Sequence, residues 1–215
     1  MTVAYQLDHV DKACRAAKEA YLPWAKLTLN DRKNYLLRLK DVFVSYESEM
    51  AKTIARDTGK ALWDATTEAK ALAAKIDITL NESIKLIKEE RITNALPQVD
   101  GVIRYRSRGV MAVVGPFNFP AHLPNGHIIP ALIAGNTVVY KPSDQTPAVA
   151  QLYAQMFEKA EFPSGVFNMV YGEAETGRRL VAHELVDGIL FTGSYEVGLK
   201  IKQETLNHYW KILAL

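Results

Sequence analysis

Five short apolar runs alternate with longer amphipathic segments from Gly109 onward, and this alternation constrains the fold more than any other feature of the sequence. The runs are GVMAVVG, TVVYKP, VFNMVYG, GILFTGS and KILAL. Strands that are buried on both faces are apolar throughout, and parallel strands are joined by segments of roughly 10–15 residues with a helical pattern. The pattern therefore predicts a Rossmann-like parallel sheet of about five strands with crossover helices on its faces.

Residues 1–96 carry a different pattern, which predicts a layer of helices. Apolar residues such as Leu36 and Leu39 recur at helical spacing, and the segment contains a single glycine and a single proline. Residues 97–108 end in the extended sequence VIRYRSR and are predicted to form one strand between the two regions. The chain is therefore predicted to have an α/β fold, with an N-terminal helical segment, a connecting strand and a sheet region over residues 109–215.

The composition excludes several classes of function. A formal net charge of +2 over 215 residues gives no electrostatic reason to expect nucleic acid or an acidic membrane as a partner. Cys14 is the only cysteine, so an intrachain disulfide and a cysteine-rich metal site are excluded, and a reducing, cytoplasmic location is predicted. The N-terminus lacks a signal-peptide pattern, and no apolar run approaches the roughly 20 residues that span a bilayer.

Two histidines, His122 and His127, flank the segment LPNG and come nearest to a metal-binding pattern. A metal would need a third ligand, and the neighbouring sequence provides no clear one. No metal site is therefore predicted, and both histidines are expected to be hydrogen-bonded structural residues.

The residues that follow each predicted strand form the candidate site, because ligands of open parallel sheets bind at the carboxyl ends of the strands. Every end carries polar, charged or glycine-rich sequence, which predicts one shared crevice. The candidates are Asn118 after the first run, Lys141, Ser143 and Asp144 at the end of the second, Gly172, Glu173, Ala174, Glu175, Thr176 and Gly177 after the third, and Gly193 and Ser194 after the fourth.

Three of these candidates also have a structural interpretation that the sequence leaves open. The Asn118 amide satisfies a turn, or it donates to a developing oxyanion. Lys141 is either a solvated lysine at a strand end or a donor to ribose hydroxyls or a phosphate. Asp144 caps the next turn, or its carboxylate accepts a hydrogen bond from a ribose hydroxyl.

The loop GEAETG and Ser194 carry the same ambiguity. The loop is not GxGxxG and lacks the Lys-Ser/Thr tail of a P-loop, so its spacing alone indicates a turn between a strand and a helix. Its glycines would nevertheless let a helix N-terminus approach the phosphates of a ligand. Ser194 can cap the following helix and contact a pyrophosphate, because the two roles are compatible.

In order and spacing, the series GPFNFP, GNTVVYKPSDQTP, FPSGVFNMVYG and FTGS resembles the aldehyde dehydrogenase superfamily. The resemblance covers nearly the whole chain and is strongest from residue 109 onward. Within the superfamily, the segment FNFPAHLPNGHIIPALIAGNTVVYKPS, the ETG loop and the ending KILAL are most similar to the branch that oxidises a succinylated semialdehyde in arginine catabolism. The resemblance implies NAD-dependent oxidation of an aldehyde to a carboxylate, on a truncated aldehyde dehydrogenase fold.

The resemblance also implies roles for individual residues. Asn118 matches the catalytic asparagine of the oxyanion hole, and Lys141 matches the lysine that binds the adenosine ribose. Asp144 stands where the family usually has glutamate. Gly193 and Ser194 match the segment that meets the pyrophosphate of the cofactor.

Gly172 to Gly177 matches the NAD-binding loop of the branch, with Glu173 where glycine is common and Ala174 where a longer residue is common. In a full-length enzyme of this family, which is considerably longer, the general-base glutamate would directly follow KILAL. The nucleophilic cysteine would lie in a separate catalytic domain, and Cys14 does not match it. Aldehyde oxidation needs both groups, so we expect a cofactor-binding portion that is inactive alone.

The same resemblance places residues 97–108 in an oligomerisation hairpin whose partner strands come from C-terminal sequence. Apolar surfaces that would meet the catalytic domain are then expected to be exposed and to promote association. The expected partners are a dinucleotide and either a C-terminal half or a second copy of the chain. Two other hypotheses stay open: a non-catalytic module that binds a dinucleotide or self-associates, and a different nucleotide enzyme, for which the strand ends offer no convincing nucleophile or base.

Overall fold

The first part of the chain forms a layer of four α-helices. The computed structural model describes residues 5–215. The four helices are followed by a short 3₁₀ helix, Ser83–Ile87. No helix among residues 5–215 is both long and apolar enough to cross a membrane. The α-helices of the layer are α1 (Asp8–Lys26), α2 (Leu29–Ser45), α3 (Glu47–Thr58) and α4 (Leu62–Asn81).

A two-stranded antiparallel hairpin follows the helical layer and differs from the single strand predicted over residues 97–108. Its strands are β1 (Glu90–Leu96) and β2 (Val99–Ile103), so the hairpin begins inside the segment 1–96 that the pattern predicts to be helical. Every residue of β1 is exposed, so this strand has no buried face to produce the apolar–polar alternation that marks a strand in a sequence. Residues 104–108 connect the hairpin to the sheet region.

The sheet region contains five parallel strands with helices between them, which confirms the predicted Rossmann-like sheet. The strands are β3 (Val110–Val114), β4 (Thr137–Lys141), β5 (Phe167–Met169), β6 (Gly188–Phe191) and β7 (Ile212–Ala214). Their spatial order is β5-β4-β3-β6-β7, with the first strand in sequence at the centre. The connecting helices are α5 (His122–Ile133), α6 (Pro147–Lys159), α7 (Ala174–Ala182) and α8 (Tyr195–Glu204).

The central strand packs into a separate apolar core on each face of the sheet. Met111 and Val113 belong to the core that includes buried residues of α2 to α6. Val110 and Ala112 point to the opposite face, into a core that includes buried residues of α1, α7 and α8. Successive side chains of a strand point to opposite faces, and both faces are covered here, so the whole strand is apolar.

Charged side chains of the helical layer hold the ends of the sheet-region helices. The Asp57 carboxylate of α3 accepts from the backbone amides of Ala148 and Val149 at 2.9 and 3.0 Å, in the first turn of α6. Arg32 of α2 donates from Nε to the Ile133 carbonyl at 2.9 Å, at the end of α5. These backbone groups have no partner inside their own helix, so the helical layer supplies the hydrogen bonds that the helix ends lack.

Replacing Asp57 with alanine should destabilise the protein by about 1–2 kcal/mol, because the change removes the acceptor for two amides at the start of α6. Asp57→Asn should cost less, since its amide oxygen still accepts. Urea unfolding followed by circular dichroism measures both variants. The exposed Asp41 of α2 provides a matched control, and Asp41→Ala should change the free energy of unfolding by less than about 0.5 kcal/mol. Equal stability of Asp57→Ala and the unmodified protein would contradict the capping role.

Candidate functional site

The ends of the strands meet at one edge of the sheet. Val114 of β3 lies opposite Lys141 of β4 and opposite Phe191 of β6. The backbone continues this pairing past the strands, because the Gly115 amide donates to the Lys141 carbonyl at 3.1 Å. The Val170 amide likewise donates to the Tyr140 carbonyl at 2.9 Å, which brings the end of β5 to the same edge. The four segments predicted from the sequence therefore start from neighbouring strand ends.

Lys141 is the buried cation of this edge, with 6% of its surface exposed. Its Nζ donates to the Pro142 carbonyl at 2.8 Å. Burial lowers the pKa of Lys141, and the negative charges of Asp144 and Glu173 oppose that shift. A Cβ placed on Gly177 would lie 3.6 Å from Lys141 Cδ, so the lysine stem runs beside the first turn of α7. The structure thus brings Lys141 together with Asp144, Glu173 and Gly177.

The N-terminus of α7 has no side-chain cap among residues 5–215, unlike the other three sheet-region helices. Asp57 caps α6, Ser194 caps α8, and a glutamate of α4 described below caps α5. Glu173 occupies the N-cap position of α7, yet its side chain makes no capping hydrogen bond. The first amides of α7 are thus available as donors, and a helix N-terminus carries a partial positive charge that favours negative or hydroxyl oxygens.

The turn before α7 is tightly packed around one hydroxyl group. Gly172 has φ +143°, and a Cβ at this position would collide with Thr176 Oγ1, so the turn requires glycine. Thr176 is fully buried, and its Oγ1 has no hydrogen-bond partner in the part of the chain that the structure describes. This hydroxyl lies beneath the turn and is not accessible from its surface. Glu173, Ala174 and Glu175 are exposed beside it.

Ser143 and Asp144, in the turn after β4, differ in burial and in hydrogen bonding. Ser143 is buried, and its Oγ accepts from the Gln145 amide at 3.2 Å, so this hydroxyl serves its own turn. Asp144 is exposed, and its carboxylate makes no hydrogen bond within residues 5–215. The predicted alternative in which Asp144 caps the turn is therefore not observed, and its carboxylate remains available beside Lys141.

Gly193 and Ser194 line a cleft of about 620 Å³ between the end of β6, α8 and the C-terminal residues. Ser194 Oγ accepts from the Val197 amide at 3.3 Å, so the predicted capping role is present. A Cβ on Gly193 would collide with the Phe191 ring, which explains the glycine. Asn118 and Lys141 do not line this cleft, so the predicted residues form adjoining parts of one edge rather than the wall of one cavity.

His127 also lines this cleft, although the sequence predicts only a structural histidine. Its Nε2 lies 2.9 Å from Thr192 Oγ1, and burial lowers its pKa. The other histidine differs from the prediction, because His122 Nδ1 is buried without a hydrogen-bond partner in the described residues. The same residues contain no group of three or more His, Cys, Asp or Glu side chains arranged to hold a metal ion.

Asn118 lies on the exposed loop between β3 and α5. Its Oδ1 accepts from the Phe119 amide at 3.1 Å, so the side chain shapes the turn as one of the two predicted roles requires. Its Nδ2 makes no hydrogen bond to any described residue, which leaves this group free to donate. Both sequence interpretations are therefore compatible with the geometry.

A buried ion pair that the sequence analysis missed fixes this loop. Glu68 of α4 is 3% exposed, and its Oε1 accepts from the Ala121 and His122 amides at 3.0 and 3.1 Å, at the start of α5. Its Oε2 accepts from Lys60 Nζ at 2.7 Å, and that Nζ lies 3.5 Å from the centroid of the Phe119 ring. One signal was available in the sequence: Glu68 is a charged residue on the apolar face of α4, between Ala65 and Leu72.

Comparisons with known proteins agree with this architecture. A model of the aldehyde dehydrogenase family matches residues 2–215. An N-succinylglutamate 5-semialdehyde dehydrogenase from Shigella dysenteriae serotype 1 (strain Sd197) is 43% identical over 206 residues, which cover 96% of this chain and 42% of that protein.

Two solved structures show the same relation. An E. coli NADP-dependent enzyme is 31% identical with a TM-score of 0.90, and the match covers 96% of this chain and 43% of that one. A Staphylococcus aureus betaine aldehyde dehydrogenase in complex with NAD⁺ is 26% identical with a TM-score of 0.92, and the match covers 100% of this chain and 45% of that one. The chain thus spans less than half the length of these relatives.

Lys60→Met should destabilise the protein by about 3 kcal/mol, because it leaves the buried Glu68 carboxylate without its cation. The double variant Lys60→Met with Glu68→Gln should recover part of that loss. Glutamine keeps an acceptor for the α5 amides, and because it is neutral it leaves no unpaired charge in the interior. Urea unfolding of both variants measures the coupling. Lys40→Met is the control, because its ion pair with Asp77 is partly exposed and should contribute less than about 1 kcal/mol. A double variant less stable than Lys60→Met would contradict this assignment.

Proposed function

The chain belongs to the aldehyde dehydrogenase family, which confirms the resemblance found in its sequence, and we propose that it is the cofactor-binding portion of an NAD-dependent succinylglutamate-semialdehyde dehydrogenase. The substrate assignment is supported by 43% identity to a protein of that name, of which the chain covers 42%. The reaction of the whole enzyme would oxidise the semialdehyde to a carboxylate, in arginine catabolism. These residues would bind the dinucleotide, and Asn118 would contribute one hydrogen bond to the chemical step.

The observation that carries the proposal is the uncapped N-terminus of α7 beside a buried lysine. Lys141 would donate to hydroxyls of the adenosine ribose, and Asp144 would accept from them. The first turn of α7 would offer amide donors that no side chain of residues 5–215 caps. Amide donors at a helix N-terminus, a lysine and a carboxylate are groups that a dinucleotide requires, so the residues present fit the cofactor.

Gly193 and Ser194 would hold the pyrophosphate at the start of α8. The glycine leaves the backbone accessible, and the amides of the first helical turn would donate to phosphate oxygens. The Ser194 hydroxyl already caps α8, and a serine hydroxyl can accept from an amide and donate to a phosphate at once. The dinucleotide, when bound, supplies the acceptor for hydride.

The charges around Lys141 favour NAD over NADP. Asp144 and Glu173 both lie close enough to raise the pKa of Lys141 against the effect of burial. A ribose 2′-phosphate placed here would meet two carboxylates, and such like-charge contacts are a means of rejecting a competing ligand. A solved relative contains NAD⁺, whereas another is described as NADP-dependent, so the family alone does not decide between the two.

Asn118 would donate from Nδ2 to the oxygen that becomes negative when a nucleophile attacks the aldehyde carbon. The nucleophile itself would come from outside these residues. Cys14 is fully buried in α1, and burial raises the pKa of its thiol to about 12, so it is neither accessible nor ionised at pH 7. We therefore expect the 215-residue chain to bind cofactor without oxidising aldehydes.

Isothermal titration of the chain with NAD tests the cofactor site. NAD should bind more tightly than NADP, and Lys141→Ala should weaken NAD binding at least about tenfold, because a charge-assisted hydrogen bond is lost. Lys52→Ala, an exposed lysine of α3, is the matched control and should leave the affinity unchanged. Failure of the unmodified chain to bind NAD would contradict the proposal.

The affinity for NAD measured in this titration should depend on pH because of Lys141. The protonated ammonium is the form that donates to ribose, and it is lost as the pH rises through a pKa that burial lowers. NAD affinity should therefore fall at a pH below the ordinary lysine value of about 10.4. Lys141→Ala should show a flat profile across that range. An unmodified protein whose affinity is constant from about pH 7 to 10 would contradict the assignment.

An activity assay with succinylglutamate semialdehyde and NAD tests whether this chain binds the cofactor while a C-terminal part supplies the remaining catalytic groups. The chain alone should produce no NADH. Addition of the remaining C-terminal part of the Shigella relative, expressed separately, should restore turnover, and Asn118→Ala in that mixture should reduce turnover about 10²–10³-fold. Turnover by the isolated chain would contradict the proposed inactivity of these 215 residues.

Self-association is the second candidate function. The hairpin strands β1 and β2 expose apolar side chains on both faces, and exposed patches of this kind mark contact surfaces. A partner would be a second copy of the chain or a C-terminal portion of the enzyme. If the NAD titration shows no binding while the chain forms dimers in light scattering, self-association would replace cofactor binding as the function. The exposed large hydrophobic residues of the hairpin are Leu96, Val99, Val102, Ile92 and Ile103.

A further inference from the structure

A second hollow, of about 520 Å³, lies at the opposite edge of the sheet from the candidate cofactor site. Its walls come from the start of α2, the 3₁₀ helix Ser83–Ile87 and the connecting residues Tyr105 and Arg106, and Ala134 closes it at the end of α5. Arg106 precedes β3, so the hollow adjoins the amino ends of the strands. It is called the linker pocket here. Its size is within the roughly 300–1,000 Å³ typical of small-molecule sites.

The linker pocket is lined by four cations and by no carboxylate among the described residues. Arg32 is held in place, because its Nε donates to the Ile133 carbonyl at 2.9 Å and its Nη1 to the Leu27 carbonyl. Lys85 is paired with Glu82 at 2.8 Å. Lys88 and Arg106 make no ion pair or side-chain hydrogen bond within residues 5–215.

The acid that follows Lys88 in the chain is already neutralised. Glu89 follows Lys88 in the chain, but its carboxylate binds Arg104 at 2.7 Å and Arg91 at 3.5 Å. Both arginines lower the pKa of Glu89, with the hydrogen bond from Arg104 as the largest cause. The negative charge of Asp31 acts on Arg32, and Glu82 pairs with Lys85, so the uncompensated positive charge of the linker pocket is that of Lys88 and Arg106. An anionic ligand would neutralise it.

The remaining walls are apolar. Leu29, Ile84 and Ile87 contribute aliphatic surface, and Tyr105 contributes an aromatic ring. Tyr105 is 58% exposed, and its ring offers a face on which an apolar group can pack. A simple inorganic anion would leave these walls in water, and a neutral apolar molecule would leave the cations unpaired.

We propose that the linker pocket binds a small carboxylate that carries an apolar body. The carboxylate would pair with Arg106 and Lys88, and the apolar body would cover Ile84, Ile87 and the Tyr105 ring. Such a ligand would connect the helical layer to the residues that lead into β3, and it would bind without contacting the edge that carries Lys141. The site is thus independent of the proposed cofactor site.

A series of three probes tests this chemistry on the 215-residue chain by isothermal titration. Octanoate carries both parts of the proposed ligand, octan-1-ol carries the apolar body alone, and acetate carries the head group alone. Octanoate should bind more tightly than either of the others. Methyl resonances of Leu29, Ile84 and Ile87 should shift on its addition, whereas those of Leu199 and Leu215 in the other cleft should not.

Two variants separate the charge from the apolar contact. Arg106→Gln and Lys88→Gln should each weaken octanoate binding about tenfold while leaving octan-1-ol unchanged, because a hydrogen bond to a charged partner is lost. Arg56→Gln is the matched control, since Arg56 is an exposed arginine of α3 that lies outside the pocket. Circular dichroism confirms that each variant is folded. Saturating NAD and the variant Lys141→Ala should leave the octanoate affinity unchanged.

Three results would overturn the proposal. Octan-1-ol or acetate binding as tightly as octanoate would show that only one part of the pocket is used. An unchanged octanoate affinity in the double variant Arg106→Gln with Lys88→Gln would place the ligand elsewhere. An octanoate affinity that weakens as protein concentration rises, together with dimer formation, would show that a second copy of the chain occupies the pocket.

Discussion

The candidate site depends on hydrogen bonds that the first amides of two helices donate to two carboxylates of the helical layer. Asp57 and Glu68 each accept from two consecutive amides, at the starts of α6 and α5. Those helices follow β4 and β3, so the caps fix the turn that follows Lys141 and the loop that carries Asn118. The helical layer therefore positions the edge of a sheet to which it contributes no strand.

The distribution of helix caps also explains why one end of the sheet edge suits a ligand. At α5 and α6 a carboxylate of the helical layer accepts from the first amides, so a ligand would have to compete with it. At α8 the Ser194 hydroxyl accepts from one amide only. At α7 the described residues provide no such side chain. Burying Lys141 next to these groups costs desolvation, which its lowered pKa reflects. Such a cost is expected where a charge serves binding rather than stability.

The two edges of the sheet carry different polar and charged groups, a difference that the net charge of +2 does not reveal. The carboxyl edge combines backbone amides, one buried cation and two carboxylates, which suits hydroxyl and phosphate groups. The amino edge combines exposed cations with aliphatic and aromatic walls. A near-neutral total arises because acids elsewhere, many of them in ion pairs, offset the cations of the linker pocket. The net charge of the chain limits the classes of partner that it can bind. The local charge around each pocket decides which ligand suits that pocket.

The sequence by itself determined the five-stranded sheet and the positions of its strand ends, because strands buried on both faces are uniformly apolar and parallel strands end at one edge. It did not reveal the hairpin strand β1, which has no buried face, and the roles of its predicted cofactor residues stay predictions. Only the tertiary structure decided what holds the site together. Glu68 lies 53 residues from the Ala121 amide that it caps, and His127 lies 65 residues from Thr192. No local pattern encodes such contacts, because each partner's identity depends on how distant segments pack.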